Sequence, residues 1–193
     1  MNKSVVIALL ILFCCQSVEL LAQQKYEQES RLKRAEVPAK ALDLIDSLKL
    51  NTTIKWYLEK GLAKKSVEAK FKLNNKKYSI EFDSLGHFED VEVITTWDEM
   101  PEKTTHGIAH FFDDECEKYA IQKIQVQYSG DPKVVKAAVN NLPALTEAQV
   151  RYEFVAKCRT PEGAQLVEYL FDADGKLVKQ SVIILKPSSN LEF

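Results

Sequence analysis

Apolar and polar positions alternate with a period of two along much of this chain. Val67, Ala69, Phe71 and Leu73 alternate with Ser66, Glu68, Lys70 and Lys72. That pattern predicts a strand with one buried and one wet face. Asn74-Asn75 follows, a pair that tolerates positive φ and predicts a tight hairpin. The returning strand sets Tyr78, Ile80 and Phe82 on one side and Lys77, Ser79 and Glu81 on the other. Ile54, Trp56 and Leu58 predict a strand before this hairpin, and Phe88–Thr95 one after it. Further on, Ile124, Val126 and Tyr128 alternate, followed by Val150–Cys158, a turn at Thr160-Pro161-Glu162-Gly163, Gln165–Phe171 and Leu177–Leu185. A short edge strand at Ser30–Ala35 is expected before them.

Steps of three and four replace the alternation in two places. Ala41, Leu42, Ile45 and Leu48 predict a helix from Pro38 to about Leu48. Ile108, Phe111, Phe112, Cys116 and Tyr119 predict a second, from Pro101 to about Tyr119. Each opens on a proline, whose missing N–H costs nothing in a first turn.

Two local echoes order these elements. Glu36-Val37-Pro38-Ala39-Lys40 returns as Glu99-Met100-Pro101-Glu102-Lys103, and Phe82-Asp83-Ser84-Leu85-Gly86 returns as Phe171-Asp172-Ala173-Asp174-Gly175. We read two copies of one unit, at 30–97 and 98–187. Extra sequence in the second copy falls near Gly130–Ala148 and reads as a short helix bounded by Pro132 and Pro143. The expected fold is α+β: two helix-plus-meander units forming one curved antiparallel sheet, with helices on one face. The other face, carrying Glu68, Lys70, Lys72, Ser79 and Glu81, is expected to be open to solvent.

The N-terminus changes the picture of where the chain works. Lys3, the apolar run Val5–Cys15 and Ala22 follow the order of a secretory signal. The run is shorter than the ~20 residues that span a bilayer. Residues 1–22 are therefore read as a removable signal, 23–29 as a flexible polar start and 188–193 as a tail. The periplasm is the expected location, with lipid anchoring or release from the cell as lesser alternatives. No later segment reads as transmembrane. The formal net charge of −2 in 193 residues gives no field that would steer nucleic acid. Cys116 and Cys158 share the apolar parity of their elements and read as core residues, and a single bridge between them is left to geometry.

Candidate chemistry is sparse. His106 and His110 are four apart on the second helix, but residues 107–109 lack the Glu of an H-E-x-x-H zinc site, so a solvated helix face is the expectation. Asp172-Ala173-Asp174-Gly175 echoes the start of a calcium loop without its twelfth-position Glu, so a hairpin turn is expected. No cofactor, metal site or catalytic set is expected. Trp56, Tyr57, Phe88 and Trp97 form a possible aromatic patch, with Trp97 the one expected to be exposed beside Asp98-Glu99.

The proline-opened helices, the Lys77–Asp83 strand and the Phe-Asp-x-x-Gly turns resemble PepSY-like domains of exported bacterial proteins. Their tandem form is similar to the fold of β-lactamase-inhibitory proteins. The resemblance implies a binding or inhibitory role at the cell envelope. Those inhibitors carry a disulfide in each repeat and this chain lacks the cysteines, so β-lactamase inhibition is not implied. The expectation is a non-enzymatic module that meets a periplasmic or envelope protein through Lys70, Lys72, Glu81, Asn74, Asn75 and Trp97. The alternative is a carrier of a small ligand or metal ion. Oligomeric state is left open.

Overall fold

The computed structural model describes residues 23–25, 28–61, 64–140, 142 and 148–184. The expected signal and tail lie outside these residues. Ten strands form one sheet: β1 Gln23–Lys25, β2 Gln28–Leu32, β3 Lys55–Lys60, β4 Lys65–Leu73, β5 Lys76–Asp83, β6 Phe88–Ile94, β7 Lys118–Ser129, β8 Gln149–Thr160, β9 Gly163–Asp172 and β10 Leu177–Ile183. Among the described residues three helices accompany them: α1 Ala39–Ser47, α2 Glu102–Glu115 and α3 Lys133–Val139. The sheet order is β1-β10-β9-β8-β7-β6-β5-β4-β3-β2, antiparallel throughout except for β1 on β10. This is the α+β architecture that the alternation predicts.

The chain makes the same local construction twice. A 3-10 turn, at Arg34–Glu36 or Trp97–Glu99, leads into Pro38 or Pro101 and then a helix. Four antiparallel strands follow, β3–β6 after α1 and β7–β10 after α2, with α3 inserted between β7 and β8. The third strand of each set ends in a turn closed by a glycine. Gly86 N–H donates to Asp83 O and Gly175 N–H to Asp172 O, both at 3.0 Å. Each turn lies against its helix, and Thr104 Oγ1 donates to Ala173 O at 2.6 Å.

The apolar sides of helices and strands meet in two clusters. Ala41 and Ile45 of α1 and Val134, Val135 and Val139 of α3 bury with Trp56, Ile80, Phe82 and Val91. Ile108 and Phe112 of α2 bury with Phe154, Tyr169 and Phe171. Val126 packs against both. All three helices therefore occupy the same face of the sheet.

The first two strands show how the sheet bends. Only two residues separate Lys25 from Gln28, a span of at most about 10 Å. Yet β1 lies on β10 and β2 on β3. A flat sheet would hold β10 and β3 seven strand spacings apart, roughly 34 Å. The sheet is therefore rolled until its edges approach, with the helices outside and the polar face inside. Burial agrees: on that polar face Glu68 is 4% exposed, Glu92 6%, Gln125 5% and Ser181 2%. The expectation of a solvent-open face is overturned, because curvature covers these side chains with their own neighbours.

Other boundaries differ for local reasons. The edge strand begins at Gln28 and ends at Leu32, because the 3-10 turn follows. Gln23–Lys25, expected to be frayed, is held by Ser181–Ile183. The second helix ends at Glu115, four residues early. Cys116 leaves it in extended conformation and is joined to Cys158 by a disulfide, while Glu117 N–H donates to Arg159 O. Both sulfurs belong to the core, and the bridge left open by the sequence is formed.

Lys49, just past α1, holds φ 51°, the left-handed region that favours glycine at a helix end. Lys49→Gly is expected to raise stability by about 1 kcal/mol, read as a higher urea midpoint; a lower midpoint would show that the lysine side chain stabilises this turn.

Candidate functional site

The expected binding residues separate into two environments. Lys70 and Glu81 lie on the inner face. Lys70 Nζ is 2.8 Å from Glu29 Oε1 and 2.9 Å from Glu68 Oε2, and 5.1 Å from the centre of the Tyr57 ring. Burial works to lower the Lys70 pKa, but the two glutamates outweigh it and hold the ammonium above the ordinary lysine range. Ser79 Oγ donates to Glu68 Oε1. Glu81 is half-buried and directly opposite both Glu68 and Asp90. Desolvation pushes its carboxyl well above the usual range, reinforced by Asp90, Glu92, Glu59 and Glu68. Asp90 is pushed up to about 7 by desolvation first and then by the charges of Glu153 and Glu89, against the pull of Lys64. Gln125 Nε2 donates to Glu92 Oε2 at 2.7 Å, and Gln127 Nε2 to Glu92 Oε1 at 3.3 Å.

Lys72, Asn74 and Asn75 lie at the opposite extreme, exposed at the β4–β5 hairpin end. Asn74 and Asn75 adopt φ 49° and 63°, so the tight turn predicted from the asparagine pair is formed. Thr52 Oγ1 donates to Lys72 O at 2.8 Å and ties the α1–β3 loop to this end. Beside it is a cleft of about 460 Å³, lined by Lys49, Asn51, Leu73, Lys136 and Asn140 among others. Lys77 is also exposed, and Lys76 sits 3.6 Å from Glu99. This end therefore gathers more cations than anions. The cleft is the part that sequence reasoning misses, because α1, β4 and α3 meet there only through long-range packing.

Trp97, expected to be exposed, is half-buried, with its ring edge-on to Phe154 at 5.6 Å. The 3-10 turn folds it onto the second core. Trp56 and Tyr57 are buried, so no aromatic patch forms. His106 is exposed on α2, and His110 Nδ1 lies 2.8 Å from Asp114 Oδ2 on the same exposed side. Asp172 Oδ1 accepts the amides of Asp174 and Lys176 at 2.9 Å, and Asp174 is paired with Lys103. That carboxylate is used by the turn itself.

No family model and no curated protein matches this chain. Among solved structures it is similar to a DUF2874 family protein of Bacteroides ovatus, at 9% identity and TM-score 0.52, over 76% of this chain and 88% of that one. A DUF2874 family protein of Bacteroides uniformis gives 13% identity and TM-score 0.51, over 76% and 89%. A BLIP-like protein of Bacteroides fragilis gives 15% identity and TM-score 0.47, over 80% and 92%. The shared fold rests on the first two. Among the described residues no helix is long and apolar enough to cross a membrane.

Proposed function

We propose that this chain is an exported, non-enzymatic binding or inhibitor-like module, PepSY-like in construction, that meets an envelope protein through its hairpin end. The observation that carries the reading is the cationic end itself: exposed Lys72 and Lys77 flank the tight Asn74-Asn75 turn beside the cleft of Lys49 and Lys136. A surface of that sign favours an acidic partner and speeds its encounter. The Cys116–Cys158 bridge supports export, since such bonds persist in oxidising compartments. The glycine turns seated on each helix support the PepSY-like resemblance.

The test is capture from envelope extract at low and moderate salt, using the chain from Gln23 and the variant Lys72→Glu with Lys77→Glu. A protein held by the wild type and lost by the variant supports this surface. Equal capture by both discards it. A carrier of a small ligand is the second reading, favoured by the cleft; native mass spectrometry showing no retained mass removes it.

A further inference from the structure

Strand register sets three carboxylates in one row on the inner face. Glu68 of β4 is opposite Glu81 of β5, and Glu81 is opposite Asp90 of β6. Directly opposed side chains have Cβ atoms about 5 Å apart, and like charges there repel. Oxygens of Glu81, Asp90 and Glu92 lie within 4.8 Å of one another, and those of Glu59, Glu68 and Glu29 do likewise.

The lysines around this row are paired with carboxylates other than Glu81 and Asp90. Lys70 serves Glu29 and Glu68, Lys64 of the β3–β4 turn serves Glu89, and Lys123 of β7 serves Glu153 of β8. Arg31 of β2 lies over the Tyr57 ring, and Arg151 of β8 is opposite Gln127 and Asp172. Glu168 of β9 adds a further carboxylate, and its charge acts on Lys123. Gln125 and Gln127 donate amide hydrogens to Glu92, and Gln127 also donates to Asp90.

The row is also short of hydrogen-bond donors. Asp90 Oδ1 and Gln125 Oε1 are buried without a partner among the described residues, and Gln125 is 5% exposed. Buried acceptors of this kind are costly. An ionised carboxylate only accepts, whereas a protonated one carries an O–H that donates. Protons on the row would relieve the repulsion and supply the missing donors together. A divalent cation fits less well, because both Glu92 oxygens and Asp90 Oδ2 already accept amides and a hard cation wants about six oxygen ligands.

We propose that Glu81 and Asp90, set between Glu68 and Glu92, form a proton-binding pair at the centre of this row that holds the rolled sheet tight in acid and loosens it as the pair ionises. The direction of the Glu81 shift and the Asp90 value near 7 agree with that geometry. Carboxyls of the unfolded chain ionise near pH 4. With folded values raised, the folded state keeps protons that the unfolded state has lost. The contribution to stability is complete below about pH 4 and is lost as pH rises through 7. The proposal does not depend on the hairpin end being a contact surface.

The experiment is carboxyl NMR of the labelled protein from pH 4 to 9, with amide hydrogen exchange at pH 6 and 8.5 corrected for intrinsic rate. Asp90 is expected to titrate near 7, and in Asp90→Asn the Glu81 midpoint should fall by about one pH unit or more, because after desolvation the Asp90 charge is what raises it and one close like charge produces a shift of that size. Exchange of β5 and β6 amides should quicken about tenfold between the two pH values, the effect of losing roughly one unit of raised pKa, and should stay nearly flat in Asp90→Asn. Both carboxyls titrating below pH 5 would overturn the proposal. So would the same acceleration in Asp90→Asn. Saturable shifts of the Glu81 and Asp90 signals with millimolar calcium, together with slow exchange restored at pH 8.5, would make the row a cation site and overturn it too. If a variant does not fold, the wild-type titration still decides.

Discussion

Reduction of the Cys116–Cys158 bridge is expected to lower the stability of the second core by about 4 kcal/mol, the chain-entropy value for a sequence separation of 42. The bridge joins the end of α2 to β8, both within the cluster around Phe112 and Phe154. Two tryptophans separate the cores. Trp97 lies 5.6 Å from Phe154 in the second cluster, and Trp56 lies 6.0 Å from Phe82 in the first. Urea unfolding of Trp56→Phe and Trp97→Phe proteins, with and without reductant, reads each core in turn. The transition seen by Trp97 should move to lower urea by more than that seen by Trp56, because β6 and β7 are joined by a ladder of only five residue pairs. Equal movement would mean that the two clusters unfold as one unit. No movement would mean that the bridge adds nothing to folded stability.

That bridge also marks where local pattern stops being informative. The steps Ile108, Phe112, Cys116, Tyr119 continue a helical stripe without a break, so periodicity extends the helix past its end. The chain leaves at Cys116 because the sulfur meets a residue 42 positions later, and no nearby residue signals it. The hairpin of β4 and β5 was legible because its information is local: alternation on both sides and an asparagine pair between them. The glycine turns at 86 and 175 were legible for the same reason. Curvature was not. Alternation reports that one face is polar, and the polar lining of a rolled sheet reads like a face open to water. Lys70 and Glu81 therefore looked like surface residues, although register places them among Glu29, Glu68 and Asp90. The short β1 has no strand signal of its own in Gln23–Lys25. Its pairing depends on β10, at the far end of the chain, and it is this contact that shows the sheet to be rolled. Lys72, Asn74 and Asn75 remain where the pattern put them, since a hairpin end is exposed whether the sheet is flat or rolled.

The second large effect is expected at the turns that seat the sheet on its helices. Gly175 and Gly86 hold φ 79° and 84°, so a side chain at either carries the same backbone cost of about 1–2 kcal/mol. Their surroundings differ. A Cβ at Gly175 would stand 2.5 Å from Thr104 O, 3.1 Å from Gly107 Cα and 3.1 Å from Ile108 N, all backbone of α2. A Cβ at Gly86 would stand 2.8 Å from Pro38 Cβ and 3.0 Å from Ala41 N, at the first turn of α1. Helix α2 cannot yield without disturbing Ile108 and Phe112, both fully buried, and its closest atom is a backbone oxygen at 2.5 Å, whereas the closest atom at Gly86 is a side-chain carbon at 2.8 Å, a milder overlap. Overpacking of this kind adds roughly 1–3 kcal/mol. Gly175→Ala is therefore expected to cost about 4 kcal/mol and Gly86→Ala about 2 kcal/mol, measured as loss of urea midpoint at unchanged slope. The order of the two is the decisive reading. Because the backbone cost is common to both, a Gly86→Ala loss equal to or greater than that of Gly175→Ala would show that conformation, not the approach of α2 to the β9–β10 turn, sets the requirement for glycine.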